Sequence, residues 1–448
     1  MNFSEFKQAV IAAAKAQGLA EYELYYRTSE STSVETFRHE IKEFSGSLDG
    51  GVCFRCIVDG RMGYASTEEL SEEQAASIVA RAAANARILE TEEQVFLGKG
   101  GETYEKPEIP SYPLPSVEEM TEKALEGDRA LYAQDPAVID GSAANAVTSR
   151  NTIAIYNSNG LDLSYENQVA LYLVSSVVTD GSEMTDSYDW QVGSFAALDM
   201  NALVEKAVTD AKSKLGADVA PTGAYPVVLS PRAMSSLLST FSGIFSSENT
   251  QKGLSKLGGK EGEPIAAKLV TLVDDPFYKG SPMPIHFDAE GMPTRTKNVI
   301  ENGVLTTLLY NLKTAAVAGK KTTGNASKGS YASDVGVSPF SMYLAPGDLT
   351  EEELLREAGN GVYVTFFGGL HAGANPITGD FSLQSGGYMI ENGVKTKPVK
   401  SFTVAGNFYT LLNQITALSD TVTLPSFGGM TAFGSPAVLV EGLTVAGK

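Results

Sequence analysis

Three histidines in 448 residues, His39, His286 and His371, narrow the chemistry this chain can do. No HExxH or HExxxH string occurs, so the helical imidazole pair that commonly holds zinc is not written in the sequence. Cys53 and Cys56 form a CxxC, a spacing used for redox chemistry or for half a zinc site. They fall in a run that reads as a strand, where a spacing of three sends two side chains to opposite faces. A reactive CxxC usually opens a helix, whose N-terminus lowers the thiol pKa. Two ordinary, half-buried strand cysteines are therefore expected. GLTVAGK at 442–448 has phosphate-loop spacing, but no Ser/Thr and no helix follow Lys448, so the match reads as chance. NASKG at 325–329 comes nearest to a serine-nucleophile elbow, with Asn in place of the first glycine. Asp274-Asp275 reads as a solvated loop rather than an acid/base dyad.

The most distinctive stretch is FFGGLHAGANPITGDFSLQSGGYMIENG, 366–393. It reads as a strand, a tight loop of Gly, Asn and Pro, and a second strand ending in a hairpin. Loops this rich in glycine and polar groups let backbone approach a partner closely. His371, Asn375, Asp380 and Ser382 are the candidates for lining a substrate-binding surface there. For each, a plain structural role in a turn set stands beside that reading. No catalytic residue and no metal ligand is assigned.

Those side chains need a scaffold, and composition bounds it. With 34 Lys+Arg against 54 Asp+Glu the net charge is −20, and hydrophobic residues make up 43%. Such a chain can bury a large core and is not disordered wholesale. A pI near 4.7 argues against a surface built to neutralise phosphates, so no nucleic-acid partner is expected. No run of about 18 uncharged apolar residues suggests a membrane span. The first residues, MNFSEFKQAVIAAAKAQGLAE, read as an amphipathic helix ended by Gly18 rather than a signal peptide. A cytoplasmic location is expected.

Residues 22–66 read as a meander, with Asp59-Gly60 as a hairpin turn. A helix follows Ser71, with Ile78, Val79, Ala82 and Ala86 on its inner face. KPEIPSYPLPS, 106–116, reads as a linker or wrapped loop; 117–134 is helical, 137–180 returns to strands around Asn159-Gly160, and 200–215 closes in a helix. GADVAPTGAYP, 216–226, is the best boundary. Beyond it, strands dominate, with turns expected at Asn302-Gly303, Asn360-Gly361 and Asn392-Gly393 and helices at 231–245, 350–358 and 406–415. IENGV occurs at 300–304 and 390–394, either from an old duplication or as an independently favoured hairpin turn. The expectation is an α+β protein: a mixed α/β N-terminal region 1–218, with segments near 20–90 and 117–218, then a β-rich C-terminal domain 219–448.

GLHAGANPITGDFSL, the GYMIENG after it, SFTVAGNFYTLL (401–412) and FDAEGMPTRTKNVIENGVL (287–305) closely resemble the TldE/PmbA branch of the TldD/PmbA family. That family was first called modulators of DNA gyrase. The resemblance runs over nearly the whole chain and implies an intracellular metalloprotease system acting on unfolded or extended peptides. It implies an α/β N-terminal region joined to a β-rich C-terminal domain. One branch carries a HExxxH zinc helix; the other pairs with it and lacks the ligands. Laid over this sequence, the zinc motif falls on LLSTFSGI, with Ser239, Thr240 and Ile244 in place of His, Glu and His and Gly243 matching a glycine. The cysteine that completes the metal site falls near LPSFGG, 424–429, where none stands. The resemblance thus implies no cofactor in this chain and zinc in a partner, a TldD-like HExxxH subunit; the alternative reading is a non-catalytic homodimeric peptide-binding or scaffold protein without a protease partner. Peptide capture is expected by addition of a strand to a sheet edge.

Overall fold

In EYELYYR the even positions Tyr22, Leu24 and Tyr26 are apolar, while the odd ones carry Glu23, Tyr25 and Arg27. A strand with that alternation must put a helix layer on one face and something more polar on the other. The computed structural model of the chain describes residues 1–91, 93–106, 108–109, 111–279, 281, 283–428 and 431–448. It answers the alternation with a six-stranded antiparallel sheet in the order Arg61–Thr67, Glu40–Val58, Glu21–Phe37, Ala143–Asn157, Asp162–Thr179, Met184–Val192. The strand Glu21–Phe37 pairs with Ala143–Asn157 from Glu23↔Asn157 to Glu35↔Asn145, which joins two halves of the same plan edge to edge. Each half runs helix, three strands, helix: Phe3–Ala16 to Glu72–Ile88, then Val117–Gln134 to Met200–Lys212.

All four helices cover the face bearing Leu24 and Val34, and every one starts at a side-chain cap: Asn2, Ser71, Ser116 and Asp199. Ile78, Val79, Ala82 and Ala86 are buried as their spacing requires. Cys56 lies on the helix side and Cys53 on the other, so the CxxC is split between faces; both thiols are fully buried, and burial pushes both pKa values up. The meander differs from expectation at one point: its first turn is Arg38-His39, both with positive φ, inside a run that reads as strand. The strand Met184–Val192 is a further addition.

Residues after 216 form two large sheets around one core, together with a two-stranded one that pairs Ala326–Ser327 with Gly336–Val337. One has the order Ile415–Leu418, Val438–Val440, Val227–Leu229, Gly361–Gly368, Asp380–Glu391, Val394–Asn407, Thr444–Ala446, Gly223–Ala224. The other runs Val304–Leu305, Lys297–Glu301, Leu272–Asp274, Ser341–Leu344, Thr431–Ser435, Thr423–Gly428. The helix Pro231–Phe241 packs between them, against Gly361–Gly368 on one side and Thr423–Gly428 and Thr431–Ser435 on the other. The α+β reading holds.

Asn302-Gly303 and Asn392-Gly393 are hairpin turns with positive φ at both residues, and the two IENGV strings lie in different sheets. Asn360-Gly361 is not a turn between strands. Gly359 ends the helix Glu351–Ala358 with φ 62°, and Gly361 already pairs in the next strand. Asp274 is not in a solvated loop: it is fully buried and accepts from Asn325 Nδ2 (2.7 Å), Phe340 N (2.8 Å) and Lys297 Nζ (3.1 Å). The 442–448 stretch holds the strand Thr444–Ala446, not a phosphate-cradling loop. Of the four prolines in 106–116, Pro107 and Pro110 lie outside the described residues, as does Gly429 of LPSFGG. The described part of the first stretch wraps the sheet, with Tyr112 OH accepting from Ala170 N (3.1 Å).

Candidate functional site

Two places gather the side chains that could do work. The first is the loop between Gly361–Gly368 and Asp380–Glu391 with the start of that second strand, where the four sequence candidates lie. Asn375 Oδ1 accepts from Ile377 N (3.0 Å) and Thr378 N (3.2 Å), and its own N–H donates to Asp380 O (2.8 Å). Asp380 Oδ1 accepts from Asn407 Nδ2 (2.8 Å); the Asn407 amide and then the Thr378 hydroxyl hold the carboxyl below the usual carboxylate range. Asn407 also donates to Thr378 O (2.9 Å), as does Lys256 Nζ (2.7 Å). Gly379, at φ +85°, has no room for a Cβ, which would fall 2.5 Å from the Tyr409 ring. Asn375 Oδ1 and Asp380 Oδ1 are thus engaged in holding the loop together, while both residues remain exposed.

His371 and Ser382 point elsewhere. Both are exposed, His371 in the short helix Leu370–Gly373 and Ser382 opposite Ala405 in the strand ladder. The structure brings Asn375 and Asp380 together with Asn407, Tyr409 and Lys256, none of which was among the sequence candidates. The loop is coupled to the helix Pro231–Phe241 through rings: Phe241 stacks on Phe408 at 4.8 Å and meets Phe381 at 6.1 Å.

The second place is the covered face of the N-terminal sheet. Arg55 Nε donates to Glu23 Oε1 (2.7 Å), and Asn157 Nδ2 reaches Glu23 Oε2 (3.3 Å), all three residues buried. Asp288 and Glu290, from the FDAEG string, come down on this face from the other half of the chain. Asp288 Oδ1 accepts from Glu290 N and Met292 N and its Oδ2 from Ala326 N, all at 2.9 Å. Glu290 Oε2 accepts from Leu312 N (2.8 Å). Burial raises both carboxyls above the carboxylate range; the Arg55 charge opposes the shift at Glu290, and Asp288 adds to it. His286, half-buried among Tyr104, Tyr165 and Phe287, is lowered by burial. The FDAEG string is thus a docking turn, with Asp288 and Glu290 buried.

Comparison with known proteins follows this geometry segment by segment. Residues 22–86 match PmbA/TldA metallopeptidase domain 1, 110–215 the central domain, and 222–447 the PmbA/TldA metallopeptidase C-terminal domain. The chain belongs to the PmbA/TldD family. A Haemophilus influenzae metalloprotease PmbA homologue is 26% identical over 430 residues, covering 93% of this chain and 92% of that one. A candidate modulator of a DNA gyrase from Thermotoga maritima has a TM-score of 0.89 at 30% identity, covering 99% and 100% of the two chains. TldE from Thermococcus kodakarensis gives 0.88 at 26%, covering 98% and 99%. The fold is therefore the PmbA/TldD fold from end to end. Among the described residues no helix is long and apolar enough to cross a membrane.

Proposed function

We propose that this chain is the metal-free member of a PmbA/TldD-type zinc metallopeptidase, contributing assembly and peptide binding while a HExxxH-bearing partner supplies the metal. The observation that carries this reading is the side-chain set on the helix Pro231–Phe241 and the 3-10 turn Ser242–Phe245 after it. Ser239 and Thr240 are half-buried, and Thr240 Oγ1 donates back to Ser236 O (2.8 Å). Ile244 is buried with Leu237, Leu238, Phe241 and Phe245 in the main core. Catalytic zinc takes about three nitrogen, sulfur or carboxylate ligands. A hydroxyl bonded to its own helix and an isoleucine in a dry core do not fit that ion, so no catalytic step is routed through one here. His371 and Ser382, exposed beside a loop that Asn375 and Asp380 help hydrogen-bond together, are the residues this reading assigns to peptide contact.

The test is reconstitution. Mixing the chain with a HExxxH-bearing homologue from the same cell should give a discrete complex, seen by chromatography with light scattering, that cleaves unfolded peptides. Elemental analysis of the isolated, metal-reconstituted chain should find no stoichiometric zinc. A homodimer that ignores the homologue, or one tightly held zinc per chain, would overturn the proposal.

A further inference from the structure

Between the covered face of the N-terminal sheet and the C-terminal half lies a half-open cavity of about 220 Å³. Tyr25, Arg27 and Ile153 form its floor; Phe287, Pro339 and Phe340 are among its apolar walls. Two cations face it, Arg27 and Lys328. Arg27 Nη1 donates to the carbonyls of Lys328 (3.2 Å) and Gly329 (3.3 Å). Lys328, only 8% exposed, donates to Ser333 O and lies 5.3 Å from the centroid of the Tyr25 ring. Among the described residues neither cation is ion-paired.

The one carboxylate in the lining, Asp288, has both oxygens occupied by backbone N–H groups. Burying a lysine without a salt-bridge partner is costly, and burial pulls the Lys328 ammonium below its ordinary value although Cys53, Glu23 and Asp334 oppose the shift. In a chain of net charge −20, two cations that face a largely apolar cavity without a salt-bridge partner are an arrangement that a bound anion would complete.

We propose that this cavity is a binding site for a carboxylate carried on an apolar body about the size of one aromatic residue. Arg27 and Lys328 hold the carboxylate, and Phe287, Pro339 and Phe340 cover the body. The volume sets the size, since it lies below the roughly 300–1,000 Å³ of ordinary small-molecule pockets. A free acid and the C-terminal residue of a peptide share this chemistry. The proposal stands apart from the metallopeptidase reading and needs neither a partner subunit nor cleavage.

Calorimetric titration of the full chain with N-acetylphenylalanine, its carboxamide, and a peptide ending in phenylalanine tests it. The acid should bind at least about tenfold more tightly than the neutral amide, the difference expected for charged hydrogen bonds. Arg27→Gln and Lys328→Gln should each remove most of that preference. If the peptide also binds, the source is a chain terminus; if only the short acid binds, it is a free metabolite. Equal binding of acid and amide by the native chain, or no saturable binding, would overturn the site even if neither variant folds. So would wild-type acid binding by both variants when their melting curves match the native one.

Discussion

Glu23 and Arg55 face each other across two neighbouring strands, roofed by the FDAEG turn. Glu23→Gln should destabilise the chain by about 3–5 kcal/mol, because it leaves the guanidinium buried without its counter-charge; the midpoint of chemical unfolding reads this directly. Glu290 behaves in the opposite sense. Its carboxyl is raised in the folded state, so the folded chain keeps a proton that the unfolded chain releases as pH climbs past the carboxylate range. Its contribution is fully present at acid pH and is lost as pH rises toward the elevated folded value. Glu290→Gln should flatten the fall in stability between acid and mildly alkaline pH, measured as the difference between two melting series. These roles were hidden in sequence for a simple reason. Glu23, Tyr25 and Arg27 alternate with apolar residues in a pattern indistinguishable from a half-solvated strand, and nothing local says that another half of the chain covers the polar face. The loop candidates were visible as a group, but not that Asn375 and Asp380 would be occupied in holding the loop while His371 and Ser382 stay free.

Elements fared better where their signals are local. Helix starts at Ser71 and Ser116 and turns at Asp59-Gly60 and Asn392-Gly393 depend on one or two residues, and those were legible. The turn at Arg38-His39 was not, because it carries none of the Asn-Gly or Asp-Gly pairs that mark a two-residue hairpin. That turn launches the strand Glu40–Val58, whose first ten residues are all exposed and which, among the described residues, pairs there with Glu21–Phe37 alone. Phe44 (56%) and Leu48 (77%) stand out on this open edge. An edge with apolar side chains and free backbone groups is where a partner subunit can add a strand. Phe44→Lys with Leu48→Lys should weaken assembly with the HExxxH homologue at least tenfold while leaving the melting curve unchanged, as light scattering at graded concentrations would report. The loop makes a separate forecast: Asp380→Ala, which unties Asn407 from the carboxyl, should lower peptide cleavage by the assembled complex with assembly intact. His371→Ala should do the same without loosening the loop, as judged by limited proteolysis.

For the whole molecule, the end-to-end PmbA/TldD resemblance was readable because its motifs are ordered along the chain, whereas the cavity holding Arg27 and Lys328 was not. It exists only where residues from the first strand, the FDAEG turn and the NASKG string converge, and no window of sequence contains all three. The same long-range pairing governs how the protein is made. Strand Glu21–Phe37 is central to its sheet, yet its inner neighbour ends at Asn157. A ribosome releases the first meander well before that neighbour, leaving a long ladder of backbone donors and acceptors open to any passing strand. Because the two halves repeat one plan, the waiting edge also suits a second copy of itself, so nascent chains risk pairing with each other. A chain severed between Gly100 and Gly101 should therefore yield two fragments that are insoluble apart and reassemble when expressed together.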